Sequence, residues 1–198
     1  MLPVSTSKEE RSYHHGDLRT ALLRAAAELL VEQGEAAISL REVARRAQVS
    51  HNAPYRHFAD REALLAALAE QGFSELLERM RVAAQRRQGQ ARLAALGRCY
   101  VDFALQRRGL FRLMFAGTVE RSRYPALLEA AQELHRQLEQ AVAALVADAE
   151  GIASLSAWSL VHGLAQLLLE GQVGAGEDHQ VLIERVTGEF AEGLLRKG

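Results

Sequence analysis

Between Ser39 and Arg61 the chain reads SLREVARRAQVSHNAPYRHFADR, a pattern for two short helices separated by a three-residue joint. Ser39-Leu-Arg-Glu42 is a capping box, in which the Ser hydroxyl and the Glu carboxylate each satisfy a backbone N–H left free at a helix start. That helix runs to about Ala47. Gln48-Val49-Ser50 makes the connection, and Ser50 is placed to cap a second helix from His51 to Phe58. Pro54 falls near its first turn, where a missing N–H costs little. The spacing is that of a helix-turn-helix, with Val43, Ala44, Ala47, Val49 and Phe58 facing inward.

Helices flank this segment on both sides. From Asp17, the apolar residues Leu18, Leu22, Ala25 and Leu29 recur at helical steps, and Gly34 follows as a C-terminal cap. Asp60 caps a much longer helix, carrying Leu65, Leu68, Phe73, Leu76, Leu77 and Met80 and continuing to about Ala84. At 1.5 Å per residue it spans roughly 37 Å, more than a three-helix head needs, so it must connect that head to something else.

The remainder reads as helix too. Alanine and leucine supply 34 and 31 of the 198 residues, whereas Val, Ile and Thr together supply only 20, so strand formers are scarce. After a polar joint at 85–90 come a helix from about Ala91 to Arg107 and a short apolar turn or helix, Leu110 to Phe115. Pro125 opens a long helix with Leu127, Ala131, Leu134, Leu138, Val142, Leu145 and Ala149 on one face. Two last helices, about Ser154–Gly171 and His179–Lys197, are separated by GQVGAGED. The expected architecture is all-α with about nine helices: a flexible arm at 1–13, a three-helix head at 14–59 and a helical body at 60–198.

Several function classes lose support. The formal net charge is −1, so any contact with nucleic acid must come from local placement of charge. Cys99, the single cysteine, cannot form an internal disulfide and has no CxxC companion, which fits a reducing compartment. The start MLPVSTSKEERS has no apolar signal region and the longest leucine run is Leu167 to Leu169, so a cytoplasmic protein without a membrane span is expected. No GxxxxGK[ST], GxGxxG after a strand or GxSxG is present, and neither enzymatic activity nor a cofactor is expected. His14-His15-Gly16-Asp17 has metal-ligand residue types but no HxxxH or HExxH spacing, so no metal is expected and contacts to backbone or phosphate are preferred.

The chemistry concentrates in two places. A major groove admits one helix, and discrimination between base pairs needs short hydrogen-bonding side chains near its N-terminus, which His51 and Asn52 supply. Arg56 reaches guanine or a phosphate from one turn further. Tyr55, His57 and Arg61 are placed to donate to phosphates, Arg45 and Arg46 to flank the backbone, and the cap residues Ser39 and Ser50 belong to the same surface. In the second half, Tyr100, Phe103, Phe111, Met114, Phe115 and Trp158, with His162 one turn after the Trp, suit either a small-molecule cavity or an ordinary core with one satisfied histidine. The last two helices carry surplus apolar residues, Leu160, Leu164 and Leu168 with Val186 and Phe190, which suit an intermolecular four-helix bundle or a fully internal position.

Residues 14–77 resemble the DNA-binding domain of the tetracycline-repressor family, through the first-helix pattern, SLREVARRAQVS, the Tyr55-x-His57-Phe58 core and DREALL at 60–65. Ala53-Pro54 replaces the Thr-Leu common before that Tyr. Trp158-x-x-x-His162-Gly163 and CYVDFALQRRGLFRLMF resemble the family's C-terminal subclass named for its Trp, His and Gly, with Arg107-Arg108-Gly109 where a proline is frequent. The resemblance implies a homodimeric, ligand-responsive transcriptional regulator, a repressor on a palindromic double-stranded DNA operator, released by a small, mostly apolar effector. A helical protein-interaction module and a small enzyme using the aromatic cavity are the other readings.

Overall fold

The computed structural model describes residues 15–173 and 178–195. The expected arm at 1–13, His14 of the His-His pair and part of the glycine-rich loop lie outside the described residues. Eight α-helices are present: α1 His15–Gln33, α2 Leu40–Arg46, α3 Arg61–Ala84, α4 Gly89–Gln106, α5 Arg108–Phe115, α6 Pro125–Ala143, α7 Ile152–Leu169 and α8 His179–Leu195, with no strand among the described residues. The chain divides into two compact units, Met1–Leu64 and Leu65–Gly198, and the boundary falls inside α3.

In the first unit Leu22, Ala26 and Leu29 of α1 close over Val43 of α2, Ile38 and Phe58, all 3% exposed or less. The Arg19 guanidinium lies 5.6 Å from the centre of the Phe58 ring. Ser39 caps α2 as expected, its Oγ accepting the Glu42 N–H at 3.1 Å. The reciprocal half of the box is replaced, because the Glu42 carboxylate takes the Arg45 guanidinium at 2.5 and 2.9 Å. α2 ends in a Schellman motif: Val49 N–H returns to Ala44 O at 3.0 Å and Gln48 N–H to Arg45 O at 3.2 Å. Gln48 holds the left-handed position, φ 55°, that glycine usually fills.

The helix expected from His51 to Phe58 does not form. In its place is a single 3-10 turn at Pro54–Arg56, so the described residues form eight α-helices where about nine were expected. Pro54 would supply the first helical N–H to the Ser50 carbonyl, and it has none. Ala53 N–H takes that carbonyl at 2.9 Å, setting a three-residue step that continues with Arg56 N–H to Ala53 O and His57 N–H to Pro54 O. Asp60 then caps α3, its carboxylate accepting Ala63 N–H at 2.8 Å.

In the second unit α4 is central, packed against α5, α6, α7 and α8. Val101, Phe103 and Ala104 of α4 are fully buried. A side chain at Gly97 would place its Cβ 3.1 Å from Thr187 Cγ2 and 3.2 Å from Val161 Cγ1, so the glycine is what lets α4 approach α7 and α8 closely. α6 stops at Ala143, short of the Ala149 read from its apolar stripe, and Asp148 serves the next helix instead. Its carboxylate caps α7, accepting Ala153 N–H and Ser154 N–H at 2.9 Å and the Ser154 hydroxyl at 2.6 Å. These bonds hold the Asp148 carboxyl below the usual range.

Candidate functional sites

The head exposes a compact set of hydrogen-bonding side chains. His51, Asn52, Tyr55 and Arg56 are all exposed around the 3-10 turn, and buried Ala53, Pro54 and Phe58 hold that turn against the core. Ser39 and Ser50 are exposed, although the Ser39 hydroxyl already serves its helix. Arg45 extends into solvent, with 71% of its side chain exposed, while paired to Glu42.

Two of the residues selected from the sequence have other partners, and a third, His57, is partly enclosed. Arg46 is folded back on α1, donating to both carboxylate oxygens of Glu32, one at 2.6 Å, and lying 3.4 Å from Glu28. Arg61 donates from Nε to Ile38 O and from Nη2 to Glu35 O, each at 2.8 Å. It therefore fastens the segment before α2 to the start of α3. His57 is half-buried and its Nε2 is enclosed without a hydrogen-bond partner.

The aromatic cluster of the second unit resolves into a wall and what stands behind it. A cavity of about 260 Å³ is bordered by Tyr100, Phe115 and Trp158. Phe103, Phe111 and Met114 are not among the residues that border it and pack in the core behind it. His162 also stands behind the wall. Its Nδ1 is 2.9 Å from the Tyr100 hydroxyl, which takes the Trp158 indole N–H at 3.4 Å. Rings of Phe111, Phe115 and Trp158 surround the imidazole at 5.6, 5.0 and 5.9 Å. Burial lowers the His162 pKa and raises that of Tyr100, which keeps both groups neutral at pH 7.

Sequence reasoning missed much of the lining. Phe73 and Met80 come from α3, Leu93, Leu96 and Gly97 from α4, Gln132 and His135 from α6, and Thr187 and Phe190 from α8. Arg121, in the turn before α6, is the lining residue with the least warning, since it reads as one arginine in a charged RSR loop. The apolar stripe of α6 was visible, but periodicity does not say that its Leu138 edge faces a void.

The five apolar residues of the last two helices expected at an interface differ in exposure. Leu164 and Leu168 are 7% and 4% exposed inside the unit, and Phe190 is half-buried and borders the cavity. Leu160 and Val186 are half-buried. The apolar side chains that do face outward are Ile152, Leu155 and Leu167 of α7 and Val181 of α8, 45–59% exposed.

No catalytic grouping comes together at the positions the sequence offered. Asp102 accepts the Gln180 side-chain N–H at 2.8 Å rather than meeting His162. Burial pushes the Cys99 thiol up to about 11, so little thiolate exists at neutral pH. Among the described residues no three His, Cys, Asp or Glu side chains gather as metal ligands.

Comparison with known proteins agrees with this arrangement. Residues 22–68 match the family model for bacterial regulatory proteins of the tetR family, and residues 93–190 match that for the tetracyclin repressor-like C-terminal domain. A solved structure of a protein of unknown function from Rhodococcus sp. RHA1 is 35% identical, with a TM-score of 0.83 over 94% of this chain and 100% of that one. The HTH-type transcriptional regulator YobS of Bacillus subtilis is 29% identical over 90 residues, 46% of this chain and 47% of that protein. The HTH-type transcriptional repressor Rv3405c of Mycobacterium tuberculosis is 32% identical over 66 residues, 33% and 35% of the two chains. The chain thus spans about half or less of the curated relatives it matches. With a head and a body that each match, the chain belongs to the tetracycline-repressor-like family of helix-turn-helix transcriptional regulators.

Proposed function

We propose that this regulator is a homodimeric repressor that binds a palindromic operator and leaves it when a small, mostly apolar effector enters the cavity of its second unit. His51 and Asn52 read base edges, Arg56 reaches guanine or phosphate, and Tyr55 and Arg45 position the head on the backbone. Arg46 and Arg61 act from inside the head by holding its elements together. The work is done on cytoplasmic DNA.

The observation that carries this reading is the double use of α3. Its first turn is built into the head through Arg61, and Phe73 and Met80 further along the same helix border the cavity. A ligand against those two side chains biases the helix that presents the head. Release then requires the effector to prefer the DNA-incompetent state, by about 1 to 3 kcal/mol, or roughly 5- to 150-fold in affinity.

Support for the dimer comes from α7, 18 residues without a charged side chain, and from the outward apolar residues on α7 and α8. Gly163 and Gly188 leave open space beside these helices, room for a second backbone to approach. The test uses Trp158, the single tryptophan, which lines the cavity. Metabolite fractions are titrated into protein bound to a selected duplex. A fraction that changes Trp158 fluorescence should lower duplex affinity in parallel; a change in fluorescence with affinity constant refutes the coupling.

A further inference from the structure

The lining of the cavity is mostly apolar and aromatic, with no Asp or Glu among the described residues that border it, yet it contains the guanidinium of Arg121. That group lies 5.3 Å from the centre of the Phe73 ring and 5.8 Å from that of Phe115. One amino nitrogen donates to Met114 O at 2.5 Å. Among the described residues no carboxylate pairs with it, whereas Arg46, Arg79, Arg98 and Arg112 each carry a glutamate. The neighbouring Glu120 carboxylate accepts the Ser122 hydroxyl at 3.0 Å. Burial lowers the Arg121 pKa, so the charge sits where its hydration is incomplete, and no carboxylate among the described residues is paired with it.

We infer that Arg121 is the anchor for an anionic effector, and that the cavity takes a small monocarboxylate with an aryl or medium-chain alkyl body. This rests on the reading of the cavity as the effector site and names its ligand class. Two aromatic faces fix the guanidinium plane, and the N–H groups not used by Met114 O remain for a carboxylate, which a planar fork engages bidentately. A single positive charge matches a monoanion better than a phosphate dianion. The body of the ligand lies among Leu93, Leu96, Leu128, Leu134 and Trp158, and about 260 Å³ restricts it to the small end of ligand size. Gln132 and His135 on α6 offer further polar contacts at the same wall.

The experiment compares matched pairs of probes on the full chain: octanoate with octanamide, and 3-phenylpropionate with 3-phenylpropanamide, each followed by Trp158 fluorescence. At least one acid should bind tenfold or more tightly than its amide. Arg121→Gln should abolish that preference while the amide still binds, and Arg121→Lys, which keeps the charge but not the fork, should retain part of it. An amide that binds as well as its acid overturns the anionic assignment and leaves the cavity reading standing. Failure of all four probes to bind overturns both. A preference that survives in Arg121→Gln removes Arg121 as its source, and the comparison in the unsubstituted protein does not depend on any variant folding.

Discussion

Replacing Arg61 with alanine separates a residue that holds the head together from one that touches DNA. The substitution removes two hydrogen bonds: Nε to Ile38 O, part-buried, and Nη2 to Glu35 O, exposed. A charged donor on a carbonyl contributes about 1.5 kcal/mol where water is partly excluded and about 0.5 kcal/mol where it is not. The Glu35 carboxylate, 3.5 Å away with the Arg61 side chain 45% exposed, adds little. The expected loss is about 2 kcal/mol in the stability of the segment between α1 and α2. Hydrogen exchange at amides 35–46 should therefore accelerate about 30-fold, at 1.4 kcal/mol per decade. Duplex affinity should fall little well below the melting temperature, and its salt dependence should not change. A phosphate contact from each head would instead reduce the slope of log K against log salt by about 0.9 per head, near 1.8 for a dimer. A reduced slope with unchanged exchange refutes the reasoning.

Three further outcomes follow from the same geometry. Gln48→Gly should raise stability by about 0.5 to 1 kcal/mol in urea denaturation, since a side chain at φ 55° is replaced by the residue that suits it; a lower midpoint contradicts the Schellman assignment. Burial depresses the His162 pKa below its ordinary 6.5, so the unfolded chain takes up that proton first. The stability it contributes is complete above about pH 6.5 and is lost as pH falls through the window below, and His162→Gln should flatten that part of the melting-temperature profile. Leu167→Glu, on the exposed face of α7, should give folded monomers in sedimentation, whereas Leu164→Glu, 7% exposed, should destabilise the fold by several kcal/mol; folded monomers from the second alone contradict the interface placement.

The helices were legible because their signals are local. Ser39 and Asp60 announce caps in the sequence, and the bonds from Glu42 N–H and Ala63 N–H are those caps. Pro54 was also visible, but its effect depends on whether the Ser50 carbonyl can be satisfied one residue earlier, and Ala53 does so. The cavity was half legible. Trp158 and Phe115 were chosen for size and spacing, and so were Phe103 and Phe111, yet only packing decides which ring borders a void and which fills the space behind it. Arg121 carries no periodic signal, since its role arises from two phenylalanines, at positions 73 and 115, that the fold brings to it. Leu164 and Leu168 show the same limit: a helix apolar on more than one side does not reveal which stripe turns inward.

Selection of bound fragments from randomised duplex DNA, with the consensus from the unsubstituted chain compared with that from His51→Ala and Asn52→Ala, tests the central claim most directly. The expected consensus is a palindrome whose half-sites lie about 10 base pairs apart, or a multiple of that, because each exposed turn reads only a few base pairs and two-fold symmetry doubles the site. Each substitution should relax the preference within the half-site, at about 1 to 3 kcal/mol for every side chain–base hydrogen-bonding pair removed. No enrichment over scrambled duplexes, or a consensus unchanged by both substitutions, would contradict the central claim.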